Sequence, residues 1–119
     1  MDEASLRIYS DPMTENLLLA IESGNYTDFS RDFDNSMKNA LDLAAFQQLR
    51  TQFESKIGHY VPASKTFIKG ERTGEFIIAY YRANYTNEPA GVTVKVVFTS
   101  ENGPAKITGL WFSSPKLAS

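Results

Sequence analysis

The sequence contains no cysteine, a single histidine and a single tryptophan, and it has no long apolar run. Each shortage narrows what the chain does. Without cysteine there is no disulfide scaffold, no thiol nucleophile and no zinc site built on thiolates. The apolar runs fall far short of the roughly 20 residues that cross a bilayer as a helix, so no membrane partner is expected. The N-terminal stretch MDEASLRIYS is acidic and lacks an apolar core, unlike a signal peptide. The chain as it stands reads as cytoplasmic, and as exported if a signal segment has been removed ahead of it. Lysine and arginine are scattered through a chain of net charge −2 and form no basic stripe, which argues against nucleic acid as a partner.

What is present suffices for one domain. At 119 residues, 42% of them hydrophobic and 22% charged, the chain can bury a single core unaided. Residues 1–10 read as a poorly ordered lead-in and residues 11–119 as the domain. DPMTENLLLAIESGN carries a full helix grammar: Asp11 as N-cap, Pro12 at the first helical position and Gly24 as the left-handed stop. Tyr26, Phe29 and Phe33 recur at helical spacing and give a short aromatic-faced helix, with a further turn through Met37 and Leu41. Asp42 then caps a longer helix with the stripe Leu43, Phe46, Leu49, Phe53 and Ile57, ended by Gly58.

After Gly58 the apolar period changes from helical to alternating. Strand-like runs fall at about 59–69, 75–85, 91–99 and 105–113, separated by the turn-forming stretches GERTG, TNEPAG and SENGP. Short connections favour antiparallel neighbours, so the fold class is α+β: amino-terminal helices packed on one face of a curved four-stranded antiparallel sheet. Alternation places Val92, Val94, Val96 and Phe98 towards the helices, together with Ile77, Ala79, Tyr81, Ala83 and Tyr85. In the last strand Ile107, Gly109 and Trp111 are assigned inward, because Thr108 sits opposite them; a bulge would invert the assignment beyond it. The outer face then carries Phe76, Ile78, Tyr80, Val97, Leu110 and Phe112, bordered by Arg82, Lys95 and Thr108. An apolar patch of that size marks an interaction surface, and a sheet-to-sheet homodimer or docking to another domain is expected there.

The order of elements resembles the cystatin-like, nuclear transport factor 2-like superfamily, and within it a domain family of unknown function also found beside α/β-hydrolase domains. The resemblance rests on LLLAIESGNYTDF, on Phe33 with Met37, on FQQLRTQFESKIGHY and on VTVKVVFTSENGPAKITGLWF, spanning about residues 12 to 113. It implies a cone whose open end, between helices and inward sheet face, is where a ligand would sit. The superfamily hosts isomerases, dehydratases and many non-catalytic binders, so fold alone selects none of them.

Few residues point to chemistry. His59, the one histidine, is a candidate general base, and no orienting partner lies near it in sequence. DFSRDFDN spaces carboxylates like a calcium loop, but Phe33 occupies the position that requires glycine, so no metal is expected, and no cofactor. The resemblance implies a carboxyl in the cone of isomerase-like relatives, and Asp34, if buried there, would abstract a proton next to a carbonyl while the Tyr81 or Tyr85 hydroxyl stabilises the oxyanion. Tyr60, Tyr81, Tyr85 and Trp111 would line such a pocket for a small apolar ligand. The inward strand positions carry no Asp, Glu or His, so the expectation is a non-catalytic binding or interaction module with no catalytic residue. Its interface residues are Ile78, Tyr80, Arg82, Lys95, Val97, Leu110 and Phe112. The alternative is the isomerase-like or ligand-binding pocket in the cone.

Overall fold

In a computed structural model, which describes residues 2–100 and 103–119, helix α1 spans Glu3–Ser23 and so begins well before Asp11. The supposed lead-in is helical. Asp2 caps it, accepting a hydrogen bond from the Ala4 N–H at 3.0 Å, and Gly24 ends it in the left-handed conformation. The early start follows from burial: Leu6 and Ser10 extend the apolar stripe of Thr14, Leu17 and Ile21 by further turns. Pro12 lies on the exposed side, where Ile8 is 78% accessible and its carbonyl can turn to water. Tertiary packing here overrides a strong local start signal.

The next helices follow the expected caps. In α2 (Tyr26–Phe29), α3 (Asn35–Ala40) and α4 (Leu43–Lys56), Asn25, Asp34 and Asp42 each accept a backbone N–H. Phe29 stacks on Phe46 at 4.6 Å and meets Phe33 edge-on at 5.0 Å, so the short helices supply an aromatic wedge. Leu43, expected in the α4 stripe, is half exposed instead.

Strands β1 (Thr66–Thr73), β2 (Phe76–Tyr85), β3 (Glu88–Thr99) and β4 (Lys106–Ser113) form one antiparallel sheet in the order β1-β2-β3-β4, with the helices on one face. The turn expected at SENGP lies partly outside the described residues. β1 starts later than the alternation suggests, because Pro62 has no N–H to offer a ladder and Ala63 has φ +58°. The second hairpin is tighter than TNEPAG implies: Thr86 and Asn87 make the turn and Glu88 already pairs with Tyr85. That hairpin docks on Gly58. The Thr86 N–H reaches the His59 carbonyl at 2.9 Å and the Asn87 N–H reaches the Ile57 carbonyl at 2.9 Å. Gly58 has φ +80°, and a Cβ there would lie 2.2 Å from Thr86 Oγ1, so both conformation and space require glycine.

Inward placement holds for β2 and β3: Ala79, Tyr81, Ala83, Tyr85, Val92, Val94, Val96 and Phe98 are all buried. It fails in β4. Phe98 pairs with Ile107 but Val97 pairs with Gly109, so Thr108 is an extra residue in the ladder. From Gly109 onward each side chain changes face. Leu110 and Phe112 therefore point inward, opposite Val96 and Val94, and Phe112 meets Phe53 edge-on at 4.8 Å. Trp111 points outward beside Lys95 and is 56% exposed. A final short helix, α5 (Pro115–Ala118), is capped by Ser114 and packs Leu117 against the core.

Candidate functional site

The expected cone pocket does not assemble. Asp34 uses its carboxylate to cap α3, accepting the Met37 N–H at 2.8 Å, and its own N–H binds the Ile107 carbonyl at 3.0 Å. Trp111 is on the opposite face of the sheet. Tyr60, Tyr81 and Tyr85 do point inward and are buried, but packing surrounds them. The Tyr85 ring contacts those of Phe53 and Tyr60, and Phe67 meets Tyr81 edge-on at 5.5 Å.

The hydroxyls of Tyr81 and Tyr60 are held from α1. Tyr81 donates to the Asp11 carboxylate and lies 2.7 Å from the Ser10 hydroxyl. Tyr60 donates to Glu15 at 2.7 Å, and Glu15 also takes the Ala63 N–H at 2.9 Å and the Lys65 ammonium at 3.2 Å. Burial, followed by the neighbouring carboxylate, pushes both tyrosines well above their ordinary pKa, so they remain neutral donors. Burial alone would raise Glu15, but its donors outweigh that effect and hold it below the usual carboxylate range. This network ties α1 to the sheet and to the loop before β1. A stripe running Leu6, Ser10, Thr14, Leu17 and Ile21 was the available signal for it. The Tyr85 and Thr14 hydroxyls are buried without a hydrogen-bond partner among the described residues.

His59 has a partner that its sequence neighbourhood could not show. Its Nδ1 lies 2.9 Å from Glu22 Oε1, while Glu22 Oε2 accepts the Tyr60 N–H at 3.0 Å. A carboxylate on an imidazole is the geometry that orients a base. Here the ring is mostly exposed and the adjoining cavity, between Arg50, Glu54 and Gly58, measures only about 30 Å³, roughly one water. The pair fastens the end of α1 to the segment after α4. Among the described residues no three His, Asp or Glu side chains gather as a metal site.

The outer sheet face is different in kind. Ile78, Tyr80 and Arg82 of β2 share it with Lys95 and Val97 of β3, and Trp111 takes the place assigned to Leu110 and Phe112. The Trp111 ring lies over Gly109, where a Cβ would sit 2.6 Å from its Cζ3. The Lys95 ammonium stands 5.0 Å from the indole and the Lys69 ammonium 5.0 Å from the Tyr80 ring. Beside the indole, Thr73, Phe76, Ile78, Val97, Thr108 and Gly109 complete a mostly apolar recess of about 340 Å³. Gly109 inside a strand pattern was the visible hint of the bulge that builds it. No described helix is long and apolar enough to cross a membrane.

No curated protein and no solved structure matches the chain. Residues 14–110, from the middle of α1 to the middle of β4, match the family described as Protein of unknown function (DUF3887), and the chain belongs to that family.

Proposed function

We propose that the domain is a non-catalytic binding module that works through the outer face of its sheet. Trp111 carries the reading. A strand that turns its one indole away from the core, over an apolar floor of Val97 and Ile78, leaves surface that a partner would cover. Elements in the order helices, then antiparallel meander, agree with the cystatin-like, nuclear transport factor 2-like resemblance, in which such sheets serve binders as well as enzymes. An isomerase-like pocket is the weaker reading, because Asp34 is engaged in a cap and the hydroxyls of Tyr60 and Tyr81 are held by Glu15 and Asp11. The cover is a second copy packed sheet to sheet or another domain.

The test uses a neutral apolar dye, Nile red, with two variants one residue apart. Dye fluorescence enhanced by the native protein and lost in Trp111→Ser, with the melting temperature nearly kept, supports the reading. Dye binding indifferent to Trp111→Ser but lost in Phe112→Ser would move the site to the helix side. Sedimentation at micromolar concentration identifies the cover: a dimer dispersed by Trp111→Lys is a second copy, and a monomer points to another domain.

A further inference from the structure

The charge on the outer face runs against that of the chain. Among the described residues, Lys69, Arg82, Lys95 and Lys106 share the strand positions of this face with one acid, Glu71, although the chain as a whole carries −2. Glu71 is already engaged by Lys69 at 2.9 Å. Two copies stacked face to face would bring these cations together, so the surplus favours a cover of opposite sign.

By register, Lys95 and Lys106 lie in the rows on either side of the recess floor at Val97 and Gly109. Tyr80, Lys95 and Trp111 form one row across the sheet, Ile78, Val97 and Gly109 the next on the same face, and Thr99 with Lys106 the one after that. Lys95 and the Thr99–Lys106 row are four residues apart along β3, or about 13 Å at the usual strand rise. An extended peptide has the same spacing between its first and fifth residues, and its first, third and fifth side chains share one side.

Resting on the outer-face reading above, we infer that the recess receives an extended segment of a partner protein in which two acidic residues flank an apolar one, in the pattern acid–x–apolar–x–acid. The first acid meets Lys95, with Arg82 diagonal to it on the neighbouring strand, and the second meets Lys106. The central side chain fills the space between Trp111, Val97 and Ile78.

The probes are two capped peptides, Asp-Ser-Phe-Ser-Asp and Lys-Ser-Phe-Ser-Lys, titrated against the full chain. Neither contains tryptophan, so the emission of Trp111, the chain's one indole, reports occupancy directly. The acidic peptide is expected to give a saturable blue shift that weakens with added salt, and the basic peptide none. Lys95→Glu is expected to weaken the acidic peptide about fivefold, a factor within reach of reversing one exposed ion pair. Lys95→Gln gives a smaller loss, and displacement of Nile red provides a second readout independent of the contact between Lys95 and the indole. Equal binding of both peptides, binding of neither, or a stable dimer occupying the face overturns the acidic segment. Each of those outcomes leaves the outer-face reading standing, whereas dye binding indifferent to Trp111→Ser removes the reading itself.

Discussion

Replacing Phe112 and Trp111 separately by alanine isolates what the bulge at Thr108 does. Phe112 is half-buried on the helix side, with its ring edge-on to Phe53 at 4.8 Å and Leu49 and Leu117 lining the same hollow. Full truncation of a buried phenylalanine costs about 3–5 kcal/mol, and partial burial reduces that to about 2. Loss of the edge-on pair adds about 1, for a total near 3 kcal/mol. A chain of 119 residues has an unfolding entropy of about 250 cal/mol/K, so Phe112→Ala is expected to lower the melting temperature by about 12 °C. Trp111 is 56% exposed and loses mainly its contact with Lys95 and its cover over Gly109, worth about 1 kcal/mol, or about 4 °C. Thermal unfolding followed by far-ultraviolet circular dichroism at one pH reads both. Leu110→Glu combined with Phe112→Ser should abolish the transition, because it places a carboxylate among apolar side chains. If the double variant folds as a stable monomer, or Trp111→Ala costs as much as Phe112→Ala, the bulge is misplaced and the outer face is made of Leu110 and Phe112.

Glu15 gathers three donors, and Glu15→Gln should destabilise the domain by about 1–2 kcal/mol at neutral pH, measured by urea denaturation. Its carboxyl is held below its unfolded value, so this stabilisation is complete above the unfolded pKa and is lost as pH falls through the folded one; the difference between native and Gln variant should shrink through the acid range below the usual carboxylate pKa. A gap unchanged by acid would mean that packing rather than charge explains it. Gly58→Ala should cost about 2 kcal/mol or more, since its φ of +80° and the 2.2 Å approach to Thr86 Oγ1 both penalise a methyl group. Hydrogen exchange localises that effect: the Thr86 and Asn87 amides should lose protection first, and uniform loss would refute hairpin docking as the role of Gly58.

Much of the architecture was legible because it rests on local signals. Asp34 and Asp42 announce their helices by offering a carboxylate to orphan N–H groups, and Gly24 and Gly58 end theirs where only glycine adopts the required φ at no steric cost. Strict alternation in Val92, Val94, Val96 and Phe98 identifies the helix-facing side of β3 without knowledge of its neighbours. The arrangement of the tyrosines was not legible, for the converse reason. Tyrosine hydroxyls need partners, but the partners Asp11 and Glu15 lie far away in sequence and are reached only when α1 crosses the sheet.

The sequence alone determined the helices-then-strands order, the four strands in meander and the inward side of β2 and β3, because periodicity, caps and turn formers act within a few residues. Tertiary structure decided where α1 begins, what orients His59 and which face of β4 looks out. Those depend on groups brought together from distant positions, and in β4 on one extra residue. Because side chains alternate with a period of two, Thr108 alone moves Trp111 from the core to the surface and Leu110 and Phe112 from the surface to the core.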